Sequence, residues 1–405
     1  MRACIHRGAS EIGGNCVEIE SQGARIVLDI GRPLSATDDD DVPLPPVPGF
    51  EAPDAGLLGV LISHGHQDHW GLVEQLPPGV PLYAGQATCA ILREAAFFTR
   101  GVDLKPAGFL VHRQPFGLGP FTITPYLNDH SAFDTYSLLI EADGRRLFYS
   151  ADLSGHGRKA GIFEELLRRP PQDVDVLLLE GTSVLAGAGE RPESSLSESA
   201  LEEDCVRFFR ETTGMALVSY SAQNIDRLVT LYRAARRSGR MLVLDLYTAS
   251  VARATRNEKI PHPGPDWPLV AVYVPMAQRI KVKEAGEFEC VQDIKGARIF
   301  EEELAREPQR YVTKLHSQTA HALAKHGGLV GARAMWSLWS GYLDEPSAQR
   351  LRAYLEGQGV PWRSTTPRDT PVSPTSSAWR RRSRRSELFP STPSEEVGSP
   401  NTSTT

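Results

Sequence analysis

The amino-acid sequence predicts an α/β protein with a β-rich first part and a parallel α/β second part. The length of 405 residues allows two or three domains. A strand–helix–strand pattern over residues 215–245 is typical of a parallel sheet. Short apolar or alternating runs bounded by turn residues predict strands in the first part, at 17–20, 25–29, 59–62, 121–126, 137–141, 146–150 and 174–179.

The composition is that of a globular protein, with 40% hydrophobic and 23% charged residues. The net charge of −6 excludes a polycation, so contact with nucleic acid would require a local basic groove. The five cysteines form no CxxC pair, which indicates a reducing compartment and argues against cysteine-ligated metal. No apolar segment is long enough for a signal peptide or a membrane span, so a cytoplasmic protein is expected.

A cluster of imidazoles and carboxylates follows the predicted strand at 59–62. His64 and His66 are two positions apart, so in an extended segment their side chains point the same way. Asp68 and His69 follow on the turn and can face a second point nearby. Imidazole and carboxylate are ligands that zinc and its borderline relatives prefer, whereas packing has no use for such a cluster at a strand end. The pattern therefore predicts two neighbouring metal ions.

The motif His64-x-His66-x-Asp68-His69 resembles the signature of the metallo-β-lactamase superfamily of hydrolases. The wider sequence is similar to the β-CASP nuclease branch, which includes ribonuclease J. The resemblance implies a four-layer αββα core in residues 1–198 and an inserted parallel α/β β-CASP domain in residues 199–345. Residues 346–363 would then begin the return of the chain to the core.

Three further residues take roles from this resemblance. His130 follows a predicted strand and would give a third imidazole to the first metal. Asp152 follows a predicted hairpin and would bridge both metals, and Asp29 would orient ligands from behind them. The implied metal ligands are His64, His66, Asp68, His69, His130 and Asp152.

Two acidic residues are the catalytic candidates. Asp68 would be both a ligand and a proton acceptor. Glu180 follows the strand at 174–179 and resembles the acidic motif that opens the β-CASP signature. The resemblance implies two zinc ions, with manganese as the alternative.

The second part offers candidate contacts for single-stranded RNA. Ser221, Asn224 and Arg227 follow a predicted strand, at the point where a helix begins. The free N–H groups of that helix could hold a phosphate, although a simple helix cap explains these residues equally well. Basic residues in 250–285 interleave with Trp267 and Tyr273, which suits stacking and phosphate contact. A solvated face explains the same charges.

The tail at residues 364–405 is dense in Ser, Thr, Pro and Arg and is predicted to be disordered. It contains no histidine, whereas the β-CASP nucleases carry two histidine motifs at this point. Codons permitted for residues 366–373 and 387–393, read from each third base, can spell Thr-Ser-Gly-His-Ala-Ser-Val and Ala-Val-Pro-Ile-His-Thr. We hypothesise a frameshift, in the gene or in its sequencing, between about Gly359 and Thr366. The second metal site is therefore predicted to be weaker.

The resemblance implies hydrolysis of RNA phosphodiester bonds. One alternative is a small-molecule hydrolase of the lactonase or glyoxalase II type, against which the α/β insert argues. Another is a catalytically impaired RNA-binding relative that has lost the histidine motifs. Endo- or exonuclease mode, the choice between RNA and DNA, and the oligomeric state, including a homo-oligomer, stay open.

Overall fold

A computed structural model of the chain describes residues 1–36, 40–99, 101–181, 197–338, 340–364 and 385–390. Its described strands form three six-stranded sheets. In this part of the chain no helix is both long enough and apolar enough to cross a membrane.

The first sheet begins antiparallel and continues parallel from its third strand. Its strands follow chain order: β1 (Arg2–Arg7), β2 (Cys16–Ser21), β3 (Ala24–Leu28), β4 (Leu57–Leu61), β5 (Leu82–Gly85) and β6 (Gly108–Leu110).

The second sheet contains an antiparallel meander followed by a parallel strand. These strands are β7 (Phe116–Leu118), β8 (Phe121–Leu127), β9 (Tyr136–Ala142), β10 (Arg145–Tyr149) and β11 (Val174–Leu179). The predicted strand at 174–179 therefore forms with the expected bounds, because its apolar run is buried on both faces.

The third sheet is parallel throughout, with spatial order β14-β13-β15-β12-β16-β17. Its strands are β12 (Ala216–Ser219), β13 (Met241–Leu244), β14 (Val270–Val272), β15 (Tyr311–Lys314), β16 (Arg333–Trp336) and β17 (Trp362–Ser364). Strand β18 (Arg385–Pro390) then adds to the second sheet, parallel to β11.

The described helices flank the sheets. They are α1 (Gln67–Trp70), α2 (Gln86–Phe98), α3 (Ala160–Arg168), α4 (Glu198–Glu211), α5 (Ile225–Arg237), α6 (Leu246–Ala254), α7 (Met276–Ala285), α8 (Glu289–Gln292), α9 (Glu301–Arg306), α10 (Ser317–Lys325) and α11 (Pro346–Gly357).

The first domain has the predicted four layers. Ile19 and Leu28 of the first sheet pack against Leu138 and Ile140 of the second sheet, which forms the buried centre of the sandwich. Helix α2 covers the outer face of the first sheet, and α3 covers the outer face of the second. Alternation along the strands produces this division, because neighbouring side chains point to opposite faces.

The second domain is a three-layer α/β unit around the third sheet. Helices α4, α5 and α6 pack on one face of the sheet. Helices α9, α10 and α11 pack on the other face. The C-terminal edge of this sheet is one wall of the site described below.

The C-terminal part differs from the sequence expectation at two points. Helix α11 packs on the third sheet and β17 pairs with β16, so residues 346–363 continue the second domain instead of starting a return to the first. The return is made by β18, at residues 385–390 of the segment predicted to be disordered. The two codon-shifted segments, at 366–373 and 387–393, lie outside the described residues except for 387–390.

Candidate metal centre

The imidazole cluster is held in a tight connection between β4 and α1. Ser63, His64 and His69 are fully buried. The Trp70 indole N–H donates to the carbonyl of Gly65 at 2.9 Å, which closes the loop on itself. The backbone of the loop is therefore conformationally restricted, which fixes the positions of the side chains that it carries.

One group of side chains converges from three separate strand ends. His66 Nδ1 lies 3.1 Å from His64 Nε2 and 3.1 Å from His130 Nε2. Asp152 Oδ2 lies 3.9 Å from His64 Nε2 and 3.7 Å from His130 Nε2. One ligand atom from each of these four residues lies within 4.8 Å of the others, so a single cation could be held among them.

A second group adjoins the first. His69 Nε2 lies 3.3 Å from Asp152 Oδ1 and 3.6 Å from Asp68 Oδ2. Asp152 therefore takes part in both groups, with one oxygen facing each. The arrangement offers two adjacent cation positions with a shared carboxylate.

Burial and neighbouring charges set the protonation of these groups. Burial, together with neighbouring histidines, lowers the pKa of His64 well below its usual range. Burial also lowers the pKa of His130 to about 3, although Asp152 opposes the shift. Burial acts in the same direction on His69, but Asp152, Asp29 and Asp68 outweigh it and raise the pKa of His69 well above its usual value. His64 and His130 are thus neutral and ready to ligate, whereas a cation beside His69 must displace a proton.

Asp29 lies behind the cluster, where the sequence predicts it. Its Oδ2 accepts from His69 Nδ1 at 2.7 Å and from the Tyr149 hydroxyl at 2.6 Å. Ser63 donates to it twice, from the backbone N at 2.7 Å and from Oγ at 2.8 Å. These contacts fix the proton of His69 on Nδ1 and leave Nε2 facing Asp152.

Sequence reasoning missed the supporting residues Ser63, Tyr149 and Asn15. The Asn15 side chain lies 3.2 Å from His69 Nε2, and its backbone N donates to the Asp68 carbonyl. The positions of Ser63 and Tyr149 in the sequence could have indicated their roles, since Ser63 directly precedes the motif and Tyr149 ends the strand before Asp152. Gly31 gave another signal, because a Cβ there would lie 1.6 Å from the Asp68 carbonyl oxygen.

Glu180 stands directly after β11. Its Oε2 accepts from the Leu153 backbone N at 3.0 Å, one residue beyond Asp152. Its own backbone N donates to Ser150 Oγ at 3.0 Å. Glu180 therefore braces the segment that carries Asp152, and it also lines the cavity next to the cluster.

A cavity of about 330 Å³ opens over the two groups. Its lining includes His66, Asp68, His130 and Asp152 from the first domain. The second domain contributes residues of the β12–α5 and β16–α11 connections. These residues are Ser221, Asn224, Ser337, Leu338 and Tyr342.

Of the three predicted substrate contacts, the structure brings two to the cavity. Ser221 is exposed there, and the Asn224 side chain caps α5 by accepting from the Arg227 backbone N at 2.8 Å. Arg227 is wrong as a phosphate contact, because its guanidinium is buried and paired with Glu198 at 2.9 Å. The same guanidinium also donates to the Ser337 carbonyl at 3.1 Å.

The predicted stacking aromatics are also wrong. Tyr273 is buried in the packing under α9 and α10. Trp267 packs edge-on against Tyr232, with ring centroids 4.9 Å apart. Both rings therefore pack within the second domain, whereas the basic residues Arg253, Arg256, Lys259, Lys281 and Lys283 are exposed and fit the alternative of a solvated face.

Comparisons with known proteins agree with this geometry. Residues 39–191 match the family model described as a beta-lactamase superfamily domain. The ribonuclease J of Mycolicibacterium smegmatis is 27% identical over 251 residues, which are 59% of this chain and 43% of that protein. An RNase J-like protein of Methanocaldococcus jannaschii is 24% identical over 275 residues, 62% of this chain and 59% of that protein.

The matched region thus spans less than half of the mycobacterial relative and less than two thirds of the archaeal one. A crystal structure of a protein of unknown function from Enterococcus faecalis V583 has the same fold, with a TM-score of 0.71 and 18% identity. That likeness covers 96% of this chain and 88% of the other. Residues 39–191 thus match a beta-lactamase superfamily domain, and over more than half of its length the chain is similar to proteins named ribonuclease J or RNase J-like.

Proposed function

We propose that this protein is a metal-dependent hydrolase that cleaves phosphodiester bonds of single-stranded RNA, with two zinc ions at the cluster. The observation that carries the proposal is the position of Asp152 between two groups of ligand atoms at the floor of a cavity shared by both domains. Two adjacent cations are a recurrent arrangement for phosphodiester cleavage. Similarity to proteins named ribonuclease J supports RNA as the substrate.

The residues present fit the proposed ions. His66 Nδ1 lies 3.1 Å from a ring nitrogen of His64 and of His130, and burial lowers the pKa of His64 and His130 toward the neutral form that ligates. His64, His66 and His130 would hold the first ion, His69 and Asp68 the second, and Asp152 both. The donor set of nitrogen and carboxylate oxygen favours zinc, and manganese is the alternative.

Bound divalent ions would supply activation of a water molecule and neutralisation of charge on the phosphate. Asp68 lines the cavity and would accept the proton of the attacking water. Asp29 keeps His69 in one tautomer, and Glu180 holds the Asp152 segment in place through the Leu153 N–H. Asp29 and Glu180 therefore act by positioning the ligands.

The second domain takes the role of the β-CASP domain in this proposal. The N-terminus of α5, with Ser221 and Asn224 at the cavity wall, would direct the positive end of the helix dipole toward a phosphate of the RNA. The RNA would lie between this helix end and the ligands of the first domain.

A direct assay tests the proposal. The zinc-loaded protein is incubated with end-labelled single-stranded RNA and, separately, with thioester and lactone substrates. We expect RNA cleavage that Asp152→Asn reduces at least about 100-fold, since the substitution removes a shared ligand. Turnover of a thioester or lactone with no cleavage of RNA would overturn the proposal.

The tail without histidine favours one other outcome. A chain that binds RNA without turnover would be the catalytically impaired relative. Zinc titration tests the effect of the missing histidines on the metal centre, because we expect the second ion to bind more weakly than the first. Two equally tight ions would contradict that expectation.

A further inference from the structure

The segment that follows Asp152 lies between the two domains. The backbone N–H groups of Gly157 and Lys159 donate to the two carboxylate oxygens of Asp129, at 2.9 Å and 3.0 Å. Asp129 directly precedes His130, so this segment holds the loop that presents His130 to the cluster.

The other side of the same segment faces the second domain. Asp226, in the first turn of α5, accepts from the Arg158 backbone N at 2.8 Å and from Lys159 Nζ at 3.1 Å. A Cβ at Gly157 would lie 2.4 Å from an Asp129 oxygen and 2.5 Å from an Asp226 oxygen. The approach of the two carboxylates therefore requires glycine at this position.

Lys159 joins the two sides. Its ammonium donates to the His130 carbonyl at 2.6 Å and to the Ala132 carbonyl at 3.2 Å, besides its pairing with Asp226. The side chains of Lys159 and Asp226 are 14% and 6% exposed, so water competes little for these contacts. The ammonium of Lys159, which is largely shielded from water, thus connects the backbone of a proposed metal ligand to the helix whose N-terminus lines the cavity.

We propose that Lys159 and Asp226 are positioning residues through which the second domain fixes His130 in its ligating orientation. The inference rests on the metal centre of the proposed function, but not on the identity of the substrate. Because α5 also carries Asn224, the same contact sets the spacing between the ligands and the opposite cavity wall. Loosening it weakens metal binding and also raises the KM for RNA more than it lowers kcat at saturating metal.

The test measures zinc affinity by competition with a chelating dye, for Lys159→Met, Asp226→Asn and the double variant. We expect each single variant to lose about tenfold in affinity at the tighter site, the scale on which supporting residues act. The double variant should bind zinc about as weakly as Lys159→Met alone, because loss of the ammonium already breaks its contact with Asp226 as well as those with the His130 and Ala132 carbonyls. Asp204→Asn is the control, since it breaks the Asp204–Arg363 pair inside the second domain and should stay within about twofold.

Other outcomes are distinguishable. A fall in melting temperature with unchanged zinc affinity would make the pair merely structural and overturn the inference. If Lys159→Met fails to fold, Asp226→Asn decides alone, because it keeps the shape of the side chain. A wild-type protein that binds no zinc would instead refute the proposed metal centre.

Discussion

Asp29 supports the candidate metal centre by accepting four hydrogen bonds, one of which is donated by His69. Asp29→Asn puts an amide where that ring needs an acceptor, so His69 turns or loses its tautomer. We expect zinc affinity at the second position to fall about 10- to 100-fold, with a smaller effect at the first. Stepwise titration with a chelating dye measures both.

Tyr149→Phe is the matched control for that prediction. It removes one donor to Asp29 and leaves the carboxylate and His69 in place. We expect a smaller loss than for Asp29→Asn. Equal affinities in wild type and Asp29→Asn would show that His69 does not depend on this support.

Asp245 makes a second buried network, away from the cavity. It follows β13 and pairs with Lys314 at 3.4 Å and His316 at 2.9 Å. Burial alone would raise its pKa, but Lys314 and His316 hold that pKa well below the usual range. We expect Asp245→Asn to lower the free energy of unfolding by about 3 kcal/mol at pH 7, because it leaves buried Lys314 without its partner.

The sign of the pH dependence follows from the lowered pKa. Near pH 4 the unfolded chain binds a proton at Asp245 that the folded chain does not, so the contribution of Asp245 is present above that pH. It is lost as the pH falls toward the folded-state pKa. The difference between wild type and Asp245→Asn in urea unfolding should therefore shrink below about pH 4. Asp103→Asn, at an exposed pair with Arg93, should change stability by less than about 0.5 kcal/mol.

At the scale of elements, two substitutions of Asn224, at the N-terminus of α5, distinguish its role as a helix cap from a role in substrate contact. Asn224→Ala should cost about 1 kcal/mol, because it removes the acceptor for the Arg227 N–H. Asn224→Asp keeps the cap but adds a negative charge at the cavity wall. If α5 receives a phosphate, Asn224→Asp keeps its melting temperature and binds RNA more weakly, as a filter-binding assay measures. Unchanged RNA affinity would leave Asn224 as a cap alone.

Short-range sequence patterns predicted the strands whose formation depends on neighbouring residues in the chain. Strand β11 forms with the predicted bounds and β9 extends one residue beyond them at each end, because both are short runs of mostly apolar residues. The sheet that a strand joins is a long-range property. The sequence therefore could not assign β17 to the second domain, although Trp362 packs against that core.

The candidate site likewise contains some residues that local sequence predicts and others that depend on long-range contacts. The motif from His64 to His69 was predictable because its ligand types crowd into one short segment. Tyr149 was not, since its contact with Asp29 spans 120 residues of chain. Arg227 was predicted wrongly because the buried Glu198 that neutralises it comes from α4, and nothing in the local sequence indicates that pairing.

At the scale of the whole molecule, β18 bears on the hypothesised frameshift. Pro390 pairs with Leu179, so the carboxyl end of β18 lies beside the strand end that leads to Glu180. In the shifted frame the histidine codon spans Ser391 and Thr392, directly after this strand. A gene restored to that frame after Ser364 should yield a protein whose second zinc binds within about tenfold of the first, with faster RNA cleavage.

The nucleotide sequence gives the prior check on that prediction. Codons at residues 366–373 and 387–393 that cannot spell the two histidine motifs would end the hypothesis. A restored protein with the same weak second zinc would show that the missing histidines do not account for the weakness.

The pairing of β11 with β18 also has a consequence for biosynthesis. Val174 pairs with Arg385, so a ribosome must add more than two hundred residues before this edge of the sandwich is covered. Until then the nascent chain exposes an open strand edge whose flanking side chains are apolar, which invites pairing with other chains. Premature termination anywhere in the second domain would release a polypeptide with that edge bare, and such a product should aggregate or be degraded instead of persisting as a stable fragment.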